Sequence, residues 1–254
     1  METLAPPMAR PWIIGHRGVT VGRAENTLAA FEAALEGAAD GIELDLQLTR
    51  DGVPVVFHHR TLFRAGLRGR RVFHLDLAAV RRLRVRCGPG CEPGEIPTLE
   101  EVLDHFGGRT RLFLEVKARP RVDTRERHRE LAAKVAEAVV RRGLEGSVCI
   151  LSFEREVLEA CCGAAPGLRT CLNLKRRLAL DGAATRGLFA LCLAVRHLTP
   201  EYAAAVHGRG LALFTYTCNG PRTVRRALAA RVDAILTGRP AWAAAYLDRL
   251  GVGR

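Results

Sequence analysis

Glu43 and Asp45 stand two residues apart in the stretch Gly41–His59, GIELDLQLTRDGVPVVFHH, which closes on the pair His58-His59. Carboxylates on alternate residues of a strand share one face and offer oxygen donors of the kind a hard divalent cation takes. An imidazole at their edge adds a group that can accept or deliver a proton near neutral pH. Two further clusters carry the same residue types. His16-Arg17 follows the apolar run Trp12–Gly15, and Glu115-Val116-Lys117 ends another apolar run. Arg17 has no acidic neighbour in sequence, which suits anion binding, and Lys117 adds a second cation. Each cluster alone is unremarkable, since a Glu-x-Asp strand face is commonly just solvated and a strand-end histidine commonly structural. Their meeting at one mouth would make a site.

The elements must bring that meeting about. Over Gly41–Leu48 the residues Ile42, Leu44, Leu46 and Leu48 alternate with Glu43, Asp45 and Gln47, which predicts a half-buried strand. Asp51-Gly52 between apolar runs predicts a hairpin. With those two as the loop, Arg50 faces Val53 and Asp45 faces His58, roughly 4.5–5.5 Å apart at Cβ. Asn26 is the expected cap of a helix carrying Leu28, Phe31, Ala34 and Leu35, and Thr98 with Glu101 forms a capping box for the next. Residues 60–97 are rich in Arg, Gly and Pro and read as an inserted segment over one mouth, relieved by a short helix near Asp76–Leu83. From Arg111 onward strands and helices alternate. Strands are expected at Arg111–Val116, Val148–Leu151, Arg169–Leu174, Leu188–Leu193, Leu211–Tyr216 and Asp233–Leu236. Helices are expected at Val122–Arg142, Glu154–Cys162, Pro200–His207, Pro221–Ala230 and Arg239–Leu250. Eight βα units and one extra hairpin strand, in a chain of 254 residues read as a single domain over 1–254, predict a closed (β/α)₈ barrel. Such barrels carry their sites at the C-terminal strand ends, where His16, Glu43, Asp45, Glu115 and Lys117 fall, and His58 joins them through the hairpin.

Composition narrows the function classes. The net charge of +12 is almost wholly arginine, since Lys117, Lys134 and Lys175 are the only lysines. It favours anionic partners, yet no basic run is interleaved with aromatics as nucleic-acid binding would require. Of eight cysteines, Cys149, Cys171, Cys192 and Cys218 fall in expected strands, Cys161-Cys162 on a helix, and Cys87 and Cys91 flank Gly-Pro-Gly in a loop. No C-x-x-C pair suggests zinc. No run resembles a signal peptide or membrane span, so a reducing, cytoplasmic setting is the default expectation.

The ordered set HRG at 16–18, ENT at 25–27, AF at 30–31, ELDLQLTRDGVPVVFHH at 43–59, Arg64, IPTLEEVL at 96–103, E-x-K at 115–117, YTCN at 216–219 and DAILTGRP at 233–240 resembles the glycerophosphodiester phosphodiesterases. The resemblance implies a (β/α)₈ barrel with a small insertion. It also implies one divalent cation, Mg²⁺ or Ca²⁺, held by Glu43, Asp45 and Glu115. His16 is implied as base and His58 as acid, with Arg17 and Lys117 on the phosphate and Tyr216 walling the glycerol pocket. Chemistry agrees, because attack on an anionic diester needs charge neutralisation, a base and an acid. The implied substrate is a small glycerophosphodiester cleaved to an alcohol and glycerol 3-phosphate. Three departures stand out: His59 where the family has Asp, Tyr216 for Trp, and Gly238 for Asp, with Ala65 a lesser one. On a strand His59 would point away from His58.

Two alternatives stand beside this reading. One is lysophospholipase D-type activity, which would call for an apolar lip in transient contact with a membrane surface; Leu62, Phe63, Leu67, Val72 and Phe73 could supply it, but are as readily the insertion's own small core. The other is a non-catalytic phosphate-binding barrel. Oligomeric state is not written in the sequence.

Overall fold

The computed structural model describes residues 10–118 and 123–252. Eight parallel strands close into a ring: β1 (Trp12–His16), β2 (Gly41–Leu48), β4 (Arg111–Val116), β5 (Val148–Ser152), β6 (Arg169–Leu174), β7 (Ala190–Ala194), β8 (Ala212–Tyr216) and β9 (Ala234–Thr237). Each pairs with its successor, and β1 bonds both β9 and β2, which completes the barrel. The ninth strand, β3 (Pro54–Val56), lies antiparallel on β2 outside the ring. Helices α1 (Leu28–Glu36), α3 (Leu99–Phe106), α4 (Arg125–Val140), α5 (Arg155–Ala164), α7 (Pro200–His207), α8 (Pro221–Ala229) and α9 (Pro240–Arg249) cover the outside, with the single turns α2 (Leu77–Val80) and α6 (Gly182–Thr185) in loops. The expected (β/α)₈ architecture is thus present. Strand and helix ends differ from expectation by a few residues, as fraying ends do. The N-terminal turn expected for α4 at Val122, and the stretch 1–9, lie outside the described residues.

Strand alternation builds two cores. Outward residues such as Ile13, Ile42, Leu44, Leu46, Leu112 and Leu114 pack under the helices. Inward residues, among them Trp12, Ile14, Phe113, Cys149, Cys171, Cys192, Phe214 and Leu236, fill the barrel. Phe113 and Phe214 meet edge-on with centroids 5.5 Å apart, and the small thiols of Cys149, Cys171 and Cys192 fit beside these rings. Cys218 differs from expectation: it lies buried just after β8 rather than inside it. Cys87 and Cys91 are joined as a disulfide, Cα atoms 5.7 Å apart, while the other six cysteines are free.

β2 corrects a second expectation. All eight of its residues are buried. Its polar face is not solvated but lines the barrel interior, so Glu43 and Asp45 are enclosed rather than half-exposed.

The hairpin register is one residue away from the expected one. Leu46 pairs with Val56 and Leu48 with Pro54, and Phe57 N–H donates to the Asp45 carbonyl at 2.8 Å, so Phe57 and not His58 faces Asp45. Thr49 is responsible. Its backbone N–H bonds Val53 O at 3.0 Å, and its hydroxyl accepts from Val53 N–H at 2.8 Å. The loop is therefore the three residues Arg50-Asp51-Gly52, with Gly52 at φ +76°. That is the bulged hairpin in which glycine supplies the left-handed residue.

Beyond β3 the inserted segment packs Leu62, Val72, Val80, Val85 and Ile96 into a small core shared with Val55 of β3, Phe57 after it and Ala24 from the β1–α1 loop.

Candidate active site

At the upper end of five of the eight inward rows, the barrel core gives way to chemistry. Trp12 and Ile14 are followed by His16, Gly41 by Glu43 and Asp45, Phe113 by Glu115 and Lys117, Cys171 by Asn173, and Phe214 by Tyr216. The ladder pairs His16 with Glu43 and Asp45 with Glu115, so strands separated by many residues in sequence present their side chains at one level. His16, Glu43, Glu115, Lys117, Asn173 and Tyr216, with His58, line a mouth cavity of about 940 Å³, and Asp45 lies buried beneath them. All the site residues expected from the sequence therefore meet around one centre.

The three carboxylates lie close, one oxygen each of Glu43, Asp45 and Glu115 within 4.8 Å of one another, and all three groups are buried. Their charges are compensated unevenly. Lys117 Nζ bonds Asp45 Oδ1 at 2.6 Å and also bonds Glu115 Oε1. Arg17 Nε sits 3.2 Å from Asp45 Oδ2. Burial alone would raise Asp45, but Lys117, Arg17 and His58 outweigh it and hold its carboxyl well below the usual range. Among the described residues no cationic side chain bonds Glu43, and the charges of Arg17 and Lys117 offset its environment only in part. Burial, then the charges of Asp45 and Glu115, push it well above the ordinary glutamate value. Glu115 is likewise raised, by burial first and by Asp45. A cluster of oxygen donors that local cations leave short of positive charge fits a hard dication.

Both histidines are kept neutral. Burial lowers His16 to about 3, with Arg17 adding to the shift, and burial lowers His58 to about 4, with Lys117 and Arg17 adding. His16 Nε2 lies 3.8 Å from Glu43 Oε2, beyond a hydrogen bond.

The β1–α1 loop fixes this arrangement in a way the sequence reading missed. Asn26 does not cap α1. Thr27 does, its hydroxyl accepting from Ala30 N–H at 3.2 Å. Asn26, buried and at φ +60°, instead donates from Nδ2 to Asp45 Oδ2 at 2.8 Å and accepts from Asp45 N–H at 3.2 Å. Arg17 is also left-handed, φ +59°, and its backbone N–H reaches Glu43 Oε2 at 3.0 Å. Asparagine tolerates that region through its short polar side chain, which was the available signal. Asn173, also unanticipated, donates to Glu115 Oε2 at 3.1 Å from the end of β6.

His59 does not point away from His58 as strand alternation would have it. β3 ends at Val56, so strand alternation no longer governs residues 58 and 59. The two imidazoles meet edge-on with centroids 4.8 Å apart. His59 Nε2 approaches Glu25 Oε1 at 3.2 Å. Glu25 thus supplies a carboxylate beside the histidine pair. His59 and Arg17 lower its own value to about 2 against the opposing effect of burial.

Gly238 also has a local cause. A Cβ there would meet Thr20 Oγ1 at 2.2 Å, and Asn219 Oδ1 accepts from both Gly238 N–H (2.9 Å) and the Thr237 hydroxyl (3.0 Å). Tyr216 donates its hydroxyl to Leu174 O at 3.0 Å and presents its ring to the cavity.

A (β/α)₈ barrel whose mouth gathers buried carboxylates, cations and paired histidines defines the class. The sequence matches the Glycerophosphoryl diester phosphodiesterase family over residues 16–242, and the chain belongs to that family of enzymes. It is 30% identical to a glycerophosphodiester phosphodiesterase of Caldanaerobacter subterraneus subsp. tengcongensis, over 90% of this chain and 94% of the relative. The crystal structure of a putative glycerophosphoryl diester phosphodiesterase from Silicibacter pomeroyi superposes with a TM-score of 0.88 at 30% identity, covering 99% of this chain and 97% of that one. An Oleispira antarctica phosphodiesterase, solved with the product sn-glycerol-3-phosphate, shares the fold with a TM-score of 0.81 at 22% identity, over 94% and 97% of the two chains.

Proposed function

We propose that this protein hydrolyses glycerophosphodiesters to an alcohol and glycerol 3-phosphate with the help of one divalent cation. The observation that carries the reading is the buried Glu43–Asp45–Glu115 cluster, under-compensated by Lys117 and Arg17 and flanked by two neutral histidines. Family membership supports the same activity.

Glu43, Asp45 and Glu115 would hold the cation, Mg²⁺ or Ca²⁺, whose donor set is oxygen alone. When bound it supplies Lewis-acid polarisation of the phosphoryl oxygen. The chain's own residues do the rest. Arg17 and Lys117 give the diester anion a cationic cradle, and arginine's planar fork suits phosphate oxygens. His16, uncharged, takes the proton of the attacking hydroxyl at a ring nitrogen. The glycerol 2-hydroxyl, within reach by its own connectivity, displaces the alcohol and leaves a cyclic phosphate, and water then attacks the phosphorus and breaks the bond to the 2-oxygen to give glycerol 3-phosphate. His58, protonated once the anionic diester is bound beside it, delivers that proton to the leaving alkoxide. Asn26 and Asn173 orient Asp45 and Glu115 through the bonds described above, and the Tyr216 ring walls the glycerol. Each proton transfer contributes roughly 10²–10⁴ in rate.

Water-soluble diesters are favoured over single-chain lipids. Leu62 and Val72 are buried in the insertion's core with Leu67 packed against it. Val21 remains exposed on a loop and Phe63 on a 3₁₀ turn of the insertion, at 65% and 48%, and two isolated side chains do not make an acyl groove.

Replacing the leaving alcohol tests the histidine roles. His58→Ala should lose roughly 10²–10⁴ on an alkyl diester and much less on a p-nitrophenyl diester, whose leaving group needs no proton. His16→Ala should lose comparably on both. The opposite pattern would exchange the two roles, and no loss on either would remove them.

A further inference from the structure

Outside the floor of the mouth, three cations line the cavity: Arg60 after the histidine pair, Lys175 after β6 and Arg196 after β7. All three are exposed, and among the described residues none pairs with a carboxylate. The floor differs, because Arg17 and Lys117 are already engaged by Glu25, Asp45 and Glu115. One further acid, Glu154, lines the cavity, and its charge acts on His128 at the neighbouring α4. The rim thus carries three cations against the single acid Glu154, and Arg196 acts electrostatically on the Tyr216 hydroxyl, at the inner wall.

A second observation is independent of net charge. The aromatic wall is Phe153 and Tyr216, edge-on with centroids 6.2 Å apart. The face of an aromatic ring is a site where a quaternary ammonium such as choline can stack. Here the face of Phe153 is already covered by the Lys175 ammonium, 5.4 Å from the ring centroid. A cationic head group would have to displace a like charge to stack there.

Resting on the phosphodiesterase reading above, we infer that Arg60, Lys175 and Arg196 select glycerophosphodiesters whose leaving alcohol carries its own negative charge, a phosphate or carboxylate, over those with a cationic one. The diester phosphate goes to Arg17 and Lys117, while the second anionic group faces the rim. Arginine engages phosphate and carboxylate bidentately, and a cleft lined by one sign of charge concentrates oppositely charged substrate.

The test measures kcat/KM for three diesters: glycerophosphocholine, glycerophosphoglycerol, and glycerophosphoglycerol bearing a terminal phosphate. At low salt kcat/KM should rise in that order. Roughly tenfold or more is expected to separate the first from the last, narrowing at high ionic strength because these cations are exposed. In Lys175→Glu/Arg196→Glu the order should reverse, and in Lys175→Gln/Arg196→Gln it should flatten, with thermal melting of each variant establishing that it is folded. Equal rates on all three diesters, or a choline preference in the wild type, would overturn the inference and leave the phosphodiesterase reading intact. Release of glycerol 3-phosphate from none of them would overturn that reading and this inference together.

Discussion

Three carboxylates share the floor of the mouth, and their neighbours make them inequivalent. Asp45 is ionised because Lys117, Arg17 and Asn26 reach it, whereas Glu43 meets burial and the like charges of Asp45 and Glu115. A carboxyl raised in the folded state has no effect on stability below its unfolded value, about 4.3, where both states are protonated. Above it the unfolded chain ionises first, so the metal-free protein loses stability as pH climbs. In EDTA at pH 8, Glu43→Gln should therefore melt higher than wild type, with the difference fading toward pH 4. Adding Ca²⁺ or Mg²⁺ should raise the wild-type melting temperature and leave the variant's nearly unchanged. A variant that melts lower in EDTA at pH 8 would contradict this account of Glu43. Asn26→Ala removes both bonds to Asp45 and sets alanine at a positive φ. It should cost about 1–3 kcal/mol of stability and reduce kcat. Asn26→Gly, which tolerates the backbone, should recover part of the stability and none of the rate. Chemical denaturation and steady-state kinetics measure both.

At the scale of elements, the legible parts were those with periodicity behind them. Alternation in β2 and β4 identified Glu43, Asp45, Glu115 and Lys117, because the same alternation that builds the inner core carries these side chains to its upper edge. The hairpin register was not legible. It turned on the Thr49 hydroxyl bonding Val53 N–H, a side-chain choice that moved every later residue by one. The roles of Asn26 and Asn173 were hidden for a different reason: an asparagine before a helix reads as a cap, and its tertiary partner, here Asp45, is invisible until the barrel closes. His59 and Gly238 looked like lost acids. Glu25 supplies a carboxylate beside His59, and Thr20 fills the space beside Gly238. Restoring an acid by Gly238→Asp should therefore destabilise the protein by about 1–3 kcal/mol through overpacking. Thr20→Ala in the same chain should return much of that loss. Equal stability of Gly238→Asp with and without Thr20→Ala would show that Thr20 is not the obstacle.

For the whole molecule, closure of the barrel is what turns scattered strand ends into a site. His16 and Tyr216 belong to strands 200 residues apart in sequence, yet β1 and β8 both flank β9 and present to the same cavity. The arginine-rich charge has a structural share: Arg141 and Arg142 of the α4 end clamp Glu100 and Asp104 of α3, so part of the excess ties helices together. No helix of the described residues is long and apolar enough to cross a membrane. In the function proposed above, the carboxylate cluster makes this barrel a cation-dependent phosphodiesterase. The most direct measurement is release of glycerol 3-phosphate from a glycerophosphodiester by wild type and Glu43→Ala, in EDTA and after restoring Mg²⁺ or Ca²⁺. The account predicts turnover by the wild type with cation, loss in EDTA, recovery on adding the cation back, and loss of roughly 10³-fold or more in the variant whatever is added. Undiminished turnover in EDTA, or by a folded Glu43→Ala protein, would contradict it.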